Sequence, residues 1–184
     1  GVQTCALPIL RIAVIGYSGS GKSTLAARLG AAYGVPVLHL DSVHWLPGWV
    51  ERPREEEKAL VRAFLDQNAS WVIDGNYSTL YYEERLEKAD RIVFLNFNRF
   101  ICLHRAAKRA RLFKNRTRPD MGEGCNEKLD FEFARWILHG GRSKRAKNRY
   151  RQMRRSYPEK FIEIRNQKAL SAFTARATEA KDCL

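Results

Sequence analysis

The sequence has few cysteines and no long apolar run, and both shortages restrict what the protein can be. Its four cysteines, Cys5, Cys102, Cys125 and Cys183, form no C-x-x-C pair, so neither a zinc site nor a disulfide framework is indicated. Reduced thiols in a cytoplasmic protein are the simpler interpretation. No apolar stretch approaches the roughly 18 residues of a membrane span. We therefore expect a soluble cytoplasmic protein without a membrane partner.

Signal-peptide features and internal linkers are also missing. Residues 1–9 have no basic segment followed by a long apolar core, and we expect them to be an atypical N-terminal extension. No repeat or low-complexity linker divides the rest of the sequence. A length of 184 residues suits one domain with a full core. Residues 10–184 are therefore predicted to form a single domain.

Positive charge is concentrated in one region. The formal net charge is +13, and residues 104–155 hold 17 Lys and Arg against 5 Asp and Glu. The densest run, residues 142–155, is predicted to be helical, which favours a solvated helix that partly backs bound phosphates. The same charge is compatible with weak nucleic-acid binding. Both interpretations stay open.

One glycine-rich motif indicates phosphate chemistry. Residues 16–24 read G-Y-S-G-S-G-K-S-T, which fits the P-loop pattern G-x-x-x-x-G-K-[ST] between a strand-like and a helical segment. Backbone N–H groups of such a loop surround phosphate oxygens, and its lysine reaches the β- and γ-phosphates of ATP. The predicted ATP-binding residues are Gly16, Ser18, Gly19, Ser20, Gly21, Lys22, Ser23 and Thr24. Lys22 is also a predicted catalytic residue, and Ser23 a predicted ligand of Mg²⁺.

Strand-like and helical segments alternate along the chain. Predicted strands cover residues 9–15, 35–40, 70–73, 91–97 and 160–164, and residues 42–52 are expected to be a loop. Predicted helices include residues 53–67, 80–88, 99–113, 129–156 with a break at Gly140-Gly141, and 167–181. This order predicts an α/β fold, a five-stranded parallel sheet with helices on both faces. The active site is expected at the carboxyl ends of the strands.

Several motifs separate this sequence from other P-loop proteins. A GTPase would carry an N-K-x-D motif for base recognition, and none is present. The P-loop closely resembles that of the adenylate-kinase-related P-loop kinases known as DNA topology modulation proteins (FlaR-like), as do residues 39–41, 45–49, 71–77, 116–121 and 124–125. The resemblance covers about residues 10–166. It implies an adenylate-kinase-like P-loop NTPase fold with a short lid at about residues 113–128.

Two carboxylates gain roles from this resemblance. As in nucleoside monophosphate kinases, Asp74 would hold Mg²⁺ through water together with Ser23, since Mg²⁺ takes oxygen ligands and keeps several waters. The alternative is that Asp74 caps the turn at Gly75. Asp41 matches the position where related kinases bind the acceptor. It would take a proton from a hydroxyl acceptor, or only orient a phosphate acceptor.

Four arginines follow the fourth predicted strand and are candidate catalytic residues. Arg105 and Arg109 are four residues apart and share a helix face, and Arg116 and Arg118 fall in the lid-like segment. Planar guanidinium groups stabilise the charge of a transferring phosphoryl group. The alternative is an ordinary solvated basic face. Zinc-type lids carry four metal ligands here, whereas this segment has only Cys125, so a metal-free lid is expected.

The sequence thus predicts ATP- and Mg²⁺-dependent phosphoryl transfer to a small acceptor, a nucleotide or a nucleoside. Trp45 and Trp49 are expected either to stack on a substrate base or to pack the loop. The four histidines show no metal spacing and are expected to be structural or surface residues. Two rival functions are an ATP-binding, nucleic-acid-associated regulator and a hydrolase without an acceptor. The acceptor's identity and the oligomeric state are not predicted.

Overall fold

Five short apolar segments form a parallel sheet at the centre of the protein. The computed structural model describes residues 9–114, 116–118, 121–122 and 124–182. The strands are β1 (Arg11–Gly16), β2 (Val37–His39), β3 (Trp45–Leu46), β4 (Val50–Glu51), β5 (Trp71–Asp74), β6 (Arg91–Leu95) and β7 (Phe161–Ile164). The main sheet has the order β2-β5-β1-β6-β7 with every pairing parallel. The five predicted main strands are confirmed.

The helices occupy the connections between these strands. They are α1 (Lys22–Tyr33), α2 (Leu40–His44), α3 (Arg54–Gln67), α4 (Tyr82–Lys88), α5 (Arg99–Leu112), α6 (Phe131–Leu138), α7 (Lys144–Ser156) and α8 (Gln167–Asp182). A short 3-10 helix at Gly140–Arg142 separates α6 from α7, as the paired glycines predicted. The expectation of a loop at residues 42–52 was wrong. Helix α2 and the antiparallel hairpin of β3 and β4 fill most of that stretch.

The sheet is buried on both faces, which explains why its strands read as apolar runs. Along β1, Ala13 and Ile15 pack into one core cluster, whereas Ile12 and Val14 pack into the other. Side chains of a strand alternate between the two faces, so each cluster receives every second residue. Parallel sheets covered by helices show this continuous apolar pattern.

The strand order places the glycine-rich loop at a defined point of the sheet. From β1 the chain moves to β2 on one side of the sheet, and it later continues into β6 on the other side of β1. Ligands of open α/β sheets bind outside the carboxyl ends of the strands, where the order reverses. The loop between β1 and α1 lies at this point.

Some expectations concern residues that the structure does not describe. The proposed extension at residues 1–9 falls outside the described residues except for Ile9, as do Cys5 and Cys183. Pro119 and Asp120 of the lid motif also fall outside them. Cys102 and Cys125 are buried free thiols. Among the described helices, none has the length and apolar character needed to cross a membrane.

Candidate active site

The glycine-rich loop has the backbone conformation that a phosphate-binding loop needs. Gly19 and Gly21 have φ angles of +76° and +96°, in the region that favours glycine. A Cβ on Gly19 would lie 2.4 Å from the carbonyl oxygen of Cys102, so α5 also excludes any side chain there. Helix α1 begins at Lys22. Its free N–H groups and the positive end of its dipole therefore face the loop, which suits an anion.

Lys22 and Ser20 offer polar side-chain groups to an anion bound at this loop. The Lys22 Nζ atom donates to the backbone carbonyl of Tyr17 at 3.3 Å, so the ammonium bends back over the loop. The Ser20 hydroxyl is buried and has no hydrogen-bond partner among the described residues. Burying a polar group without a partner is costly, and a bound phosphate oxygen would satisfy it.

Arg105 supports the loop from helix α5. Its guanidinium donates to the Ser20 carbonyl at 2.7 Å and to Gln167 Oε1 at 2.8 Å, and it lies 4.1 Å from the centre of the Phe97 ring. Burial lowers the pKa of Arg105 from its ordinary value. Arg105 therefore holds the loop through its hydrogen bond to the Ser20 carbonyl, and it also lines the cavity beside the loop.

Arg142 holds the start of the loop through an aromatic contact. Its guanidinium lies 3.8 Å from the centre of the Tyr17 ring and donates to the Phe97 carbonyl at 2.7 Å. Burial raises the pKa of Tyr17, so this phenol stays neutral at ordinary pH. Tyr17 also packs edge-on against Phe94 and Tyr150 of the core. One end of the loop is thus held by packing and a cation–π contact.

Asn76 joins the loop to the end of strand β5. Its side-chain Oδ1 accepts a hydrogen bond from Gly16 N at 3.1 Å, and its Nδ2 donates to Gly16 O at 2.6 Å. Both polar groups of Gly16 are therefore satisfied by a single side chain. Asn76 and Tyr77 follow Gly75, which has a φ of +131° and lies against Leu40. This turn therefore connects the P-loop, through Asn76, to Asp41, which Tyr77 contacts.

Asp74 is buried under the site and paired with a histidine. Its side chain is 4% exposed, and its Oδ1 lies 2.7 Å from His39 Nδ1. Its carboxylate and the Ser23 hydroxyl offer the oxygen ligands that Mg²⁺ prefers. Asp74 is not among the described residues that line the cavity, which fits a contact through water better than direct ligation. The described residues contain no group of three or more His, Cys, Asp or Glu able to hold a metal ion.

A second set of polar residues lines the same cavity as the loop. The Tyr77 hydroxyl donates to Asp41 Oδ1 at 2.7 Å. Burial, reinforced by the Asp41 charge, raises the pKa of Tyr77, so the phenol remains a donor. Next to them, His44 Nδ1 is hydrogen-bonded to Glu57, a buried residue of α3. The strand predicted at residues 35–40 ends at His39, and Asp41 lies in the first turn of α2.

The two tryptophans belong to the hairpin of β3 and β4. Their rings meet edge to face with centroids 5.5 Å apart, and Trp49 Nε1 donates to the Asn126 carbonyl at 3.1 Å. The Cys125 thiol lies 3.2 Å from the Leu46 carbonyl, and Gly48 N donates to Gly124 O at 3.2 Å. The hairpin therefore packs on the lid. Both tryptophans also line the cavity, so stacking on a ligand stays open.

Arg109 of α5 and Arg118 of the lid both contact the buried carboxylate of Glu127. Glu127 Oε1 accepts from Arg109 Nε at 2.7 Å, and Glu127 Oε2 lies 2.6 Å from Arg118 Nε. Arg109 and Arg118 both line the cavity. Arg116 is exposed and is not among the described lining residues. Its predicted role stays a prediction.

One cavity connects all these parts. Its volume is about 1570 Å³, and it is lined by the P-loop, by Asp41, His44 and Tyr77, by the hairpin tryptophans and by Arg105, Arg109 and Arg118. Arg145 and Arg149 of α7 line it as well. Part of the dense basic run therefore borders the cavity.

Several of these residues carry little signal in the sequence. Asn76 and Tyr77 stand in a recognisable motif, but only the fold shows that they contact Gly16 and Asp41. Glu127 is an acidic residue within a basic segment, and this contrast is a signal in the sequence that could have identified it as a partner of the arginines. His44 was expected to be structural or at the surface, and the structure places it in the cavity wall.

Known proteins are similar to this chain in sequence pattern and in fold. Residues 12–121 match the family described as AAA domain. Shikimate kinase from Acinetobacter baumannii in complex with shikimate has a similar fold, with a TM-score of 0.55, 19% identity, and coverage of 95% of this chain and 90% of that chain. Shikimate kinase from Bacteroides thetaiotaomicron has a TM-score of 0.50 at 18% identity, covering 94% and 98%. No curated protein matches. The predicted P-loop kinase-like fold is confirmed.

The contact between Asn76 and Gly16 generates a stability prediction. Asn76→Ala should lower the free energy of unfolding by about 1–3 kcal/mol, because Gly16 loses partners for its N–H and C=O at the end of a buried strand. Urea unfolding followed by circular dichroism measures this change. Asn148→Ala, on the exposed side of α7, is the matched control and should stay within about 0.5 kcal/mol. Equal effects of the two changes would contradict the structural role of Asn76.

Proposed function

We propose that this chain, which belongs to the AAA domain family, transfers the γ-phosphoryl group of ATP to a small acceptor. The observation that carries the proposal is the shape of the site. The P-loop and the polar residues of α2 and of the turn after β5 line one cavity of about 1570 Å³. Ordinary small-molecule sites measure roughly 300–1,000 Å³, so this cavity has room for two substrates. A hydrolase would need only the nucleotide side.

On the nucleotide side, the chain offers donors to the phosphates. The P-loop N–H groups and the start of α1 would surround the β-phosphate, and Lys22 would swing from the Tyr17 carbonyl to the β- and γ-oxygens. The Ser20 hydroxyl would bind a phosphate oxygen, and Arg105 would hold the loop through the Ser20 carbonyl. Ser23 and Asp74 would hold Mg²⁺, which would neutralise charge on the β- and γ-phosphates.

On the acceptor side, Asp41 would contact the substrate. The finer proposal, from the resemblance to adenylate-kinase-related topology modulation proteins, is that the acceptor is a nucleotide or nucleoside. Trp45 and Trp49 line this end of the cavity and provide aromatic surface for a base. Arg109 and Arg118 would stabilise the charge that spreads over the transferring group. Binding of both substrates would close the lid and exclude water.

The basic surface supports one alternative function. Apart from its edge at the cavity, α7 carries exposed residues such as Lys144, Lys147, Arg151, Arg154 and Arg155. A basic helix of this kind can contact nucleic-acid phosphates, and the protein would then use ATP as a conformational ligand. The cavity favours the kinase, because such a regulator needs no acceptor-side wall.

The first prediction tests the kinase itself. With ATP and Mg²⁺, the protein should phosphorylate at least one member of a panel of nucleosides, nucleotides and small alcohols. Lys22→Ala should abolish this transfer and greatly weaken ATP binding in calorimetry, because the β/γ-phosphates lose their cation. Lys58→Ala, on helix α3 outside the cavity, is the control and should behave as wild type. ATP hydrolysis without transfer to any acceptor would favour the hydrolase.

The second prediction concerns the lid. Arg118→Ala should lower kcat and kcat/KM together by about 10²-fold with little change in ATP affinity, as expected for a contact made mainly in the transition state. Arg116→Ala tests whether lid closure brings this exposed side chain over the phosphates. If it does, kcat and kcat/KM should fall by a similar factor. Steady-state kinetics on both variants measures the effects. A change below about threefold would remove that arginine from the mechanism.

The third prediction separates the kinase from a DNA-binding regulator. We expect duplex DNA to bind weakly and without sequence preference, near the 10⁻⁴ to 10⁻⁶ M range of non-specific contacts at physiological salt. Fluorescence anisotropy over a series of salt concentrations measures this, since each neutralised phosphate steepens the salt dependence. Nanomolar, sequence-selective binding would overturn the preference for the kinase.

A further inference from the structure

A histidine and a buried glutamate form a pair at the acceptor side of the cavity. Glu57 lies on α3 and is 4% exposed, and its Oε1 is hydrogen-bonded to Nδ1 of His44 at the end of α2. When Glu57 is ionised, its carboxylate can only accept hydrogen bonds, and the proton in this contact is then on Nδ1. In neutral His44 the lone pair is therefore on Nε2.

His44 and Glu51 both line the cavity. His44 Nε2 lies 4.0 Å from Oε1 of Glu51, too far for a hydrogen bond. The imidazole is held in place by Trp45 and Tyr77, whose ring centroids lie 4.5 Å and 4.8 Å away. The ring thus has a fixed orientation, and Nε2 makes no hydrogen bond to a described residue.

The neighbouring carboxylate is less suited to take a proton. Asp41 Oδ1 already accepts the Tyr77 hydroxyl at 2.7 Å, and burial raises the pKa of that phenol, so the hydrogen bond persists. Because this oxygen is already engaged by the Tyr77 hydroxyl, Asp41 is better placed to orient the acceptor than to deprotonate it.

We propose that His44 accepts the proton of the acceptor, and that the acceptor atom is a hydroxyl oxygen rather than a phosphate oxygen. This inference rests on the proposed kinase function. As the hydroxyl oxygen forms its bond to the γ-phosphorus, its proton passes to His44 Nε2. The bond from the γ-phosphorus to the β,γ-bridging oxygen breaks, and ADP leaves. Glu57 is a positioning residue that orients His44 and stabilises its protonated form.

The pH dependence of the reaction tests this role. The ionisable groups near the imidazole include Glu57 from α3, Glu51 from β4, Arg52 just after β4, Asp41 on its own helix and Tyr77 from the turn after β5. A histidine base works only when neutral, so kcat/KM for the acceptor should fall at acidic pH. A phosphate acceptor needs no base and gives no such dependence on His44.

The experiment combines product analysis with three variants. Once an acceptor is found, ³¹P NMR should show a phosphate monoester and not a new phosphoanhydride. His44→Gln should lower kcat by about 10²- to 10⁴-fold, the usual contribution of a general base, and abolish the fall of kcat/KM at low pH. ATP affinity should be unchanged. His104→Gln, on the exposed side of α5, is the matched control and should keep the wild-type profile.

Glu57→Gln distinguishes positioning from a merely structural contact. It keeps a side-chain oxygen for the His44 N–H but removes the negative charge, so the fall in kcat/KM should move to lower pH. A contact that only ties α2 to α3 would lower the melting temperature without moving this profile. This variant also carries the test if His44→Gln does not fold.

The possible failures are distinct. Transfer to a phosphate oxygen, or an unchanged pH profile in both variants, would overturn the role of His44 and leave the kinase standing. Absence of transfer from wild-type protein to any acceptor would overturn the kinase and this inference together.

Discussion

The two hydrogen bonds between the Asn76 side chain and the backbone of Gly16 join the halves of the site. Gly16 ends β1 and begins the phosphate-binding loop. Asn76 lies in the turn after β5, next to Tyr77, whose hydroxyl donates to Asp41. A displacement of either strand end would strain both sets of contacts. The distance between the P-loop and the Tyr77–Asp41 pair is therefore set by the register of β1 and β5 in the sheet. Phosphoryl transfer depends on such positioning more than on covalent chemistry.

Charge is distributed along the cavity in a way that suits two different ligands. Arg105 and Arg109 of α5, Arg118 of the lid and Arg145 and Arg149 of α7 line the cavity, and so do Asp41, Glu51 and His44, which is hydrogen-bonded to Glu57. Guanidinium groups stabilise a phosphoryl group in transfer, and an oriented imidazole suits a hydroxyl group. Glu127 holds two of the arginines at fixed positions. These two arginines are Arg109 of α5 and Arg118 of the lid.

The loop is supported by residues far away in sequence. Arg105 on α5 holds the Ser20 carbonyl, and Arg142, just before α7, stacks on Tyr17. These two arginines belong to the basic region that composition alone presents as a candidate nucleic-acid surface. In the structure they donate to backbone carbonyls and contact aromatic rings. Part of the positive charge therefore serves the architecture of the site, and only the exposed remainder is available to other partners.

Local chemistry allowed the sequence to determine the P-loop, the five parallel strands and the helix break at Gly140-Gly141. Each of these depends on neighbours in the chain: glycine spacing, apolar runs and helix-breaking residues. Helix α2 and the hairpin of β3 and β4 were missed, because Pro47 and Gly48 read as loop residues while the pairing on either side depends on tertiary packing. The contacts of Asn76 with Gly16, His44 with Glu57 and Glu127 with Arg118 were decided only by the tertiary structure. Their partners lie 60, 13 and 9 residues apart in sequence, and no local pattern records which distant side chains the sheet and helices bring within hydrogen-bonding distance.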